Sequence, residues 1–220
     1  MDDLDRLERA LPHLPIFPLP GAVLLPHTLV PLHIFEPRYR KLTRDCDEGL
    51  RMMGLAHVPD ERAAGERPPG VLPVLGVGVL ARVDRLPGGR FNLILRGVAR
   101  ARILDELSSG EPYRLVRAQL LTPRELGPAK APQLADALRR MVLALTAARP
   151  GAETQALAQL AARARDPGEL ADVVAGILVS SSRERQLVLE TIEIVERLQL
   201  VTHLAAGALA ETASPSSAPN

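Results

Sequence analysis

Short apolar runs separated by glycine and proline fill the chain up to about residue 122. Runs of this kind predict buried β-strands that are joined by tight turns. The predicted strands are AVLLP (22–26), LVPLHIF (29–35), RMMGLAHV (51–58), VLGVGVLARV (74–83), FNLIL (91–95), VARARIL (98–104) and YRLVRAQLL (113–121). Many short strands with frequent turns predict a small, bent β-barrel.

Glycines mark two special places in this strand pattern. Gly76 and Gly78 lie inside a predicted strand, which favours a bulge or a close approach of another backbone. Gly88 and Gly89 separate two apolar runs and predict a hairpin turn. The segment PDERAAGERPPG (59–70) is charged and lacks periodicity, so it is predicted to be a loop.

One helix is predicted within the strand region, over PRYRKLTRDCDEG (37–49). Pro37 suits the first helical position, Glu36 suits the N-terminal end of the dipole, and Gly49 suits the position after the end. Its apolar face carries Tyr39, Leu42 and Cys46. For Cys46, packing in the core is therefore a better interpretation than nucleophilic chemistry.

Six prolines interrupt the apolar segment from Leu14 to Leu42. Proline cannot donate a ladder hydrogen bond, so it is confined to edges, bulges and the first positions of elements. The segment is accordingly predicted to consist of several short buried pieces joined at corners. The prolines are Pro15, Pro18, Pro20, Pro26, Pro31 and Pro37.

Apolar residues recur at helical spacing after about residue 130. They predict a first helix on the stripe from Leu134 to Leu145, an Ala-rich second helix over 152–165, and a third helix that Asp166 caps. SSRE (181–184) matches a capping box, and a break near Thr191–Ile194 is expected in the last helical stretch. The predicted organisation is a β-barrel over 12–124, a helical bundle over 130–210 and a disordered tail over 211–220.

Composition excludes several classes of protein. The formal net charge of +1 gives no general attraction to nucleic acid or to an anionic membrane. The single cysteine excludes an intrachain disulfide and a cysteine metal cluster. The acidic N-terminus does not resemble a signal peptide, and no apolar run reaches the ~20 residues of a transmembrane helix. The predicted location is therefore the cytoplasm.

No motif for catalysis or for cofactor binding is found in the sequence. A Walker-type phosphate loop, GxGxxG and GxSxG are all missing. The five histidines form neither an HxxxH nor an HExxH pair, so surface or structural roles are predicted for them. The sequence accordingly predicts no catalytic residue, no metal and no cofactor.

An arginine-rich stretch offers an alternative function. Residues 82–124 contain nine arginines and four acidic residues, and such a patch could contact phosphates. Arg100 and Arg102 are predicted to share one strand face. Against nucleic-acid binding, the stretch offers only Phe91 and Tyr113 for base stacking, so a solvated sheet face is the competing interpretation. The candidate contacts are Arg96, Arg100, Arg102, Arg114 and Arg117.

The stretch LPIFPLPGAVLLPHTLVPLHIFEPRYRKL (14–42) resembles the N-terminal, substrate-binding domain of Lon proteases. Later blocks, including GVARARI and PYRLVRAQL, resemble the same family, and the resemblance covers about residues 12–205. Two departures are Leu25, where phenylalanine is usual, and His27, where glycine is common. The matching family positions are Pro18, Pro26, Pro31, Leu32, His33, Phe35, Glu36, Arg38, Tyr39, Gly76, Gly89, Gly97, Arg100 and Tyr113.

This resemblance implies an α+β fold, in which a PUA-like β pseudo-barrel with one inserted helix precedes a C-terminal helical bundle. It is similar to the stand-alone bacterial form of the domain. Full-length Lon proteins continue into an ATPase and a Ser/Lys peptidase, which this sequence does not show. The protein is therefore expected to be non-enzymatic.

The function implied is the binding of unfolded or apolar polypeptide segments, as an adaptor or regulator in protein quality control. Its partners would be polypeptide substrates or a protease. An exposed apolar groove or an open sheet edge would receive the segment. The family positions are expected to be mostly structural: Glu36 would accept backbone donors at the helix start, or pair with Arg38, Arg40 or Arg100.

Overall fold

Six strands and two helices form the first part of the structure, a computed structural model that describes residues 2–59, 70–125 and 129–213, with side chains to residue 207. The helices are α1 (Asp3–Ala10) and α2 (Pro37–Glu48). The strands are β1 (Leu14–Pro20), β2 (Leu29–Ile34), β3 (Met52–Val58), β4 (Val74–Leu86), β5 (Arg90–Leu107) and β6 (Arg114–Leu120).

The strands form one mixed sheet in the order β2-β5-β4-β3-β1-β6, and an additional pairing joins β5 to β6. Five strands therefore make a partly closed ring, while β2 lies outside it against β5. β1 and β3 are parallel, and the other pairs are antiparallel. The predicted α+β class with a barrel-like sheet is confirmed.

Strand β5 closes the ring because it is long enough to pair with both β4 and β6. Its first part pairs with β2 and β4, and its part from Ala101 to Leu107 pairs with β6. The β4–β5 register shifts between Val77 and Gly78, which confirms the bulge that the glycines predicted. Such shifts bend a strand and so favour closure.

The prolines lie where the sheet does not need their missing donors. β1 pairs with β6 only over Leu14–Ile16, so Pro18 and Pro20 have a single neighbouring strand, β3. Pro31 lies on the outermost strand, β2. Pro37 is the first residue of α2, as predicted. The sequence pattern of short pieces joined at corners is thus the pattern of the fold.

The segment AVLLP (22–26) is not a strand, contrary to the prediction. It is an irregular, buried loop that crosses β4 and β5 at their glycines. A Cβ atom at Gly76 would lie 1.9 Å from Leu24 O, and one at Gly97 would lie 2.1 Å from Leu25 O. We call Gly76, Gly97 and the loop over them the glycine cradle. Backbone contact with a sheet face excludes ladder pairing, which is why this apolar run forms no strand.

His27 ends this loop with a left-handed backbone conformation, at a φ of 64°. Its N–H donates to Gly97 O at 3.0 Å, so the conformation is fixed by the cradle. Glycine adopts positive φ without a steric penalty. The positive φ therefore explains why glycine is common at this position of the family pattern, and His27 adopts it as a non-glycine residue.

Helix α2 follows the prediction closely, with Glu36 before it and Gly49 after it. Its buried face packs on the sheet, where the Tyr39 and Phe17 rings meet edge to face at 4.4 Å. Cys46 is buried, and its thiol donates to Met52 O at 3.3 Å. Burial raises the pKa of this thiol to about 12. Cys46 is therefore a core residue, as its place on the apolar face predicted.

Helix α1 was not predicted, because its sequence is mostly charged and its few apolar residues give little helical periodicity. Asp2 caps it by accepting from Asp5 N at 2.8 Å, and acidic residues in the first turn favour the dipole. Leu7 and Ala10 are its buried residues.

A second unit, Pro123–Asn220, follows the first unit, Met1–Thr122. Its helices are α3 (Ala131–Ala148), α4 (Ala152–Arg163), α5 (Pro167–Leu178), α6 (Ser182–Glu190) and α7 (Ile194–Ala213). Asp166 and Ser181 cap α5 and α6 through Glu169 N and Glu184 N, which confirms both predicted caps. The predicted region limits 12–124, 130–210 and 211–220 stay predictions, and most of the 59–70 loop lies outside the described residues.

The predicted break in the last helical stretch separates α6 from α7. A buried arginine holds it: Arg197 donates to the carbonyls of Thr191 and Ile192 at 2.9 and 3.0 Å. Its Nη1 pairs with Asp172 on α5 at 3.1 Å, and both side chains are almost fully buried. The carbonyls that the break leaves without helical partners are thereby satisfied.

Candidate functional site

Strand β2 presents an apolar surface that the core does not use. Its buried residues alternate with exposed ones, and the exposed side carries Leu29, Pro31 and His33. Phe35 continues the series directly after the strand. Leu29 and Phe35 are 60% and 61% exposed, which places them among the most exposed large apolar side chains of the described residues. We call Leu29, Pro31, His33 and Phe35 the outer column.

The backbone of β2 has one open edge, because among the described strands it pairs with β5 alone. Gly97 N donates to Thr28 O at 2.9 Å, just before the strand begins. Ladder bonds of an antiparallel pair fall on alternate residues, so the even-numbered residues of β2 bond to β5. Leu29, Pro31 and His33 therefore direct their backbone groups to the open edge. Pro31 lies at one of the positions where a missing N–H costs the sheet nothing.

A shallow groove of about 410 Å³ runs beside the outer column, over the outer face of β2, β5 and β4. His33 Nδ1 and Asn92 Oδ1 lie 2.7 Å apart across the β2–β5 pair. Arg82 and Asp84 on β4 form an ion pair at 2.9 Å. Ile94 lies between Pro31 and Arg82 in the register of the three strands. The groove thus combines apolar surface with polar groups that already have partners.

The family positions divide into buried and exposed groups. Pro18, Pro26, Leu32 and Tyr39 are buried and hold the strand and corner in place. His33, Phe35 and Arg38 are exposed, although they belong to the same motif. Packing therefore explains the first group but gives no reason for the second.

The corner residue Glu36 makes only part of the contacts predicted for it. Its carboxylate pairs with Arg38 at 2.9 Å, and Arg38 also stacks over the Tyr39 ring at 4.4 Å. The Glu36 side chain makes no capping hydrogen bond at α2. Arg40 instead donates to Gly88 O in the β4–β5 turn.

Three other family positions have clear structural roles. Gly89 adopts a φ of 71° in the β4–β5 turn, which confirms the hairpin that the Gly pair predicted. Gly97 belongs to the glycine cradle. Tyr113 donates its hydroxyl proton to Asp45 at 2.6 Å, and Asp45 also accepts from Lys41 at 2.7 Å. The Tyr113 bond ties the start of β6 to helix α2.

The pKa values of this polar contact reflect its partial burial. Burial acts to raise the pKa of Asp45, but the hydrogen bonds from Lys41 and Tyr113 outweigh it and leave that pKa below its ordinary value. Burial and the bond to Asp45 raise the pKa of Tyr113. Asp45 is therefore held as a carboxylate that accepts both bonds.

The arginines proposed for phosphate contact are mostly engaged elsewhere. Arg96 pairs with Asp3 at 2.6 Å, Arg114 with Glu106 at 2.8 Å, and Arg117 with Asp105 at 2.5 Å. Arg100 is only 3% exposed, so the predicted solvated face with Arg102 does not form. Residues 99–101 are all buried, so β5 is covered on both faces at this point, whereas Arg102 is exposed. Arg102 alone of the five is exposed without an ion pair among the described residues.

Sequence reasoning named His33, Phe35 and Pro31 but missed Leu29, Asn92 and Ile94. The alternation from Leu29 to Phe35 was a usable signal for an outer face. The groove partners come from another strand, and only the pairing brings them together. Within the described ranges no cluster of three or more His, Cys, Asp or Glu residues could hold a metal. No helix there is long and apolar enough to cross a bilayer.

Comparison with solved structures supports the architecture. The structure is similar to the N-terminal domain of Mycobacterium avium complex Lon protease, with a TM-score of 0.68 and 21% identity over 88% of this chain and 98% of that one. It is also similar to a Lon N-terminal domain protein from Xanthomonas campestris, with a TM-score of 0.61 and 23% identity over 87% and 97% of the two chains. At these identities the likeness shows the fold.

Sequence comparison gives the family. A curated relative, Lon protease of Anaeromyxobacter dehalogenans, is 30% identical over 87% of this chain and 22% of its own length. The chain thus spans about a quarter of the length of the curated relatives that it matches. Residues 13–206 match the model of the ATP-dependent protease La (LON) substrate-binding domain. Because this match covers most of the chain and not the catalytic domains of Lon, the protein belongs to the Lon substrate-binding domain family.

Proposed function

We propose that this domain binds extended polypeptide segments with exposed apolar side chains, and that it does so at the outer column of β2. The observation that carries the proposal is the coincidence of two features on one strand. Among the described strands β2 has an open backbone edge, and Leu29 at its start and Phe35 directly after its end are both more than half exposed. An edge strand that exposes apolar residues is costly for a protein in isolation, because it invites pairing with other chains.

Binding would follow the physics of strand addition. The backbone of the segment would bond to Leu29, Pro31 and His33, while every second side chain would contact the outer column. Backbone bonds are indifferent to sequence, so many clients would be accepted. Burying a phenylalanine side chain contributes about 1.5–3 kcal/mol, which makes Phe35 a suitable anchor.

The cellular role we propose is to deliver such segments to a protease. The family and the names of its relatives support a link to proteolysis. A folded protein hides its apolar strands, so an edge of this kind would select unfolded chains. We assign no catalytic step to this domain and place its work in the cytoplasm. We do not propose nucleic-acid binding, because ion pairs or burial occupy four of the five candidate arginines.

The side-chain part of the proposal is tested by Phe35→Ser. The matched control is Leu143→Ser on α3, because Leu143 is also 61% exposed. Fluorescence anisotropy with a labelled, reduced and unfolded protein fragment would measure the dissociation constant. We expect Phe35→Ser to weaken binding about tenfold and Leu143→Ser to leave it unchanged. Equal effects of the two substitutions would contradict a site on β2.

The backbone part is tested by comparing His33→Pro with His33→Ala. Proline at 33 removes an N–H that points to the open edge, so the fold should survive while binding weakens. Alanine removes the same side chain but keeps the N–H, and should bind more tightly than proline. Circular dichroism would verify that both variants fold. If the two variants bound equally well, strand addition would be wrong.

A further inference from the structure

We infer that the β2 surface prefers apolar segments that carry an acidic residue beyond the Phe35 end. This inference rests on the proposed function and adds a substrate class to it. It comes from the charge distribution around the outer column, which is uneven. At the Leu29 end and along the groove, the nearby arginines are neutralised: Arg96 pairs with Asp3 and Arg82 pairs with Asp84.

The Phe35 end is different. The β2–β5 register ends at the pair Ile34–Phe91, and continuing it by one residue brings Phe35 to the position opposite Arg90, at the start of β5. Arg90 is exposed, and its Nε donates to Pro87 O at 3.2 Å. Arg40 reaches the same turn from α2 and donates to Gly88 O. Both guanidinium groups are thus held at the β4–β5 turn by backbone carbonyls and not by carboxylates.

These contacts position two charges without cancelling them. A carbonyl carries no net charge, and a guanidinium is always protonated, so each group keeps its full positive charge. Among the described residues, neither Arg40 nor Arg90 has an ion pair with a carboxylate. The neighbouring Arg38 is neutralised by Glu36. Arg85, which faces Phe91 from β4, shares the carboxylate of Asp47 with Arg51. Arg40 and Arg90 are therefore the two arginines that are held at this turn without a carboxylate partner.

Geometry places this pair within reach of a bound segment. A strand added to β2 would lie about two strand spacings, roughly 10 Å, from β5. A Glu side chain from the segment and an Arg side chain from the turn can together span that distance. The segment would meet the charges only after passing Phe35, because the rest of the groove is electrically balanced. The ligand is therefore an apolar stretch with Asp or Glu at one end.

The experiment uses three labelled peptides with the same alternating Val-Ser core. They end in Glu-Glu, Ser-Ser or Lys-Lys, and each pair is placed at either terminus because the strand direction is open. Anisotropy with the whole chain would give the dissociation constants at low and high salt. We expect the Glu-Glu peptide to bind about fivefold more tightly than the Lys-Lys peptide at low salt. Salt should reduce this ratio.

The variant for this test is Arg40→Gln with Arg90→Gln, and the control is Arg102→Gln. Arg102 is also an exposed arginine of β5, twelve residues further along the strand than Arg90. The double variant should lose the preference and still bind the Ser-Ser peptide as the native protein does, which also shows that the surface is folded. Arg102→Gln should keep the preference.

Two failures can be told apart. Equal binding of the three peptides, or a preference that survives in the double variant, would overturn this inference and leave the proposed function standing. If no peptide bound, the proposed function itself would be wrong, and the charge preference with it.

Discussion

The glycine cradle and the outer column are two regions that the same proline-rich segment makes with the same strands. In the cradle, the backbone of Leu24 and Leu25 lies so close to Gly76 and Gly97 that no side chain fits between them. At the outer column, residues 29–34 pair with β5 on one edge, and no strand in the described part of the chain pairs with the other edge. One region is filled by the chain itself, and the other has large apolar side chains with no described partner strand.

The difference in packing between the two regions separates structural from functional positions within one motif. Closed positions tolerate no added atom, so their identity is explained by packing. Open positions tolerate change, so packing does not explain a phenylalanine or a leucine there. We therefore expect the loss of stability on substitution to decrease from the most closed position to the most open one.

The largest effect is expected for Gly76→Ala. The new methyl group would lie 1.9 Å from Leu24 O, and the other Leu24 atoms that it would meet, C and Cβ, belong to the backbone or are fixed to it. The loop must move away, which should cost about 3 kcal/mol or more. Urea unfolding of the variant would measure this loss.

Gly110→Ala is the control for this substitution. A Cβ at Gly110 meets nothing within 4 Å, so stability should hardly change. A Gly76→Ala protein as stable as the control would show that the loop can move away from β4. Position 76 would then not be sterically closed, and the contrast with the outer column would be wrong.

An intermediate effect is expected for Tyr113→Phe, which removes the hydrogen bond to Asp45. The loss should be about 1 kcal/mol at neutral pH, since the site is only partly buried. The native pKa of Asp45 is lowered, so its ionisation stabilises the folded state above its ordinary pKa near 3.8. That contribution is lost as the pH falls through the folded pKa.

The difference between Tyr113→Phe and the native protein should therefore shrink as the pH falls through the lowered folded pKa of Asp45, where the carboxylate becomes protonated. Urea unfolding at a series of pH values would measure it. A difference that stays constant down to pH 2.5 would mean that Asp45 does not carry the effect.

The smallest effect on stability is expected for Phe35→Ser. Because Phe35 is mostly exposed, its loss should change the free energy of unfolding by no more than about 0.5 kcal/mol. Thermal unfolding of the variant would test this at the position where binding is predicted to suffer most. A loss as large as that of Gly76→Ala would mean that Phe35 contributes to the core, which would contradict its assignment to an open surface.

Local patterns predicted much of the fold because the decisive contacts are local. The caps at Asp166 and Ser181, the first position of Pro37 and the turn at Gly88-Gly89 all depend on neighbours within four residues. The helix break after Glu190 was also expected. Its cause was not visible, because Arg197 and Asp172 are 25 residues apart in the chain.

The three errors have different physical sources. AVLLP was predicted as a strand since its composition suits burial, but burial against glycines and burial in a ladder have the same apolar signature. Arg100 was predicted to face solvent because strand alternation was applied to a strand that the ring covers on both faces. Helix α1 was overlooked because its few apolar residues carry little signal.

By itself, the sequence determined most of the elements, the caps at Asp166 and Ser181 and the break after Glu190, since these follow from backbone preferences and hydrophobic periodicity. Only the tertiary structure decided which apolar residues became core. Leu32 and Phe35 are both apolar residues of one motif, yet the first is buried and the second exposed. The side of β2 that meets α2 and the ring is fixed by pairing between segments some sixty residues apart. Whether a residue is buried depends on which distant segments of the chain pack against it, and no local pattern contains that information.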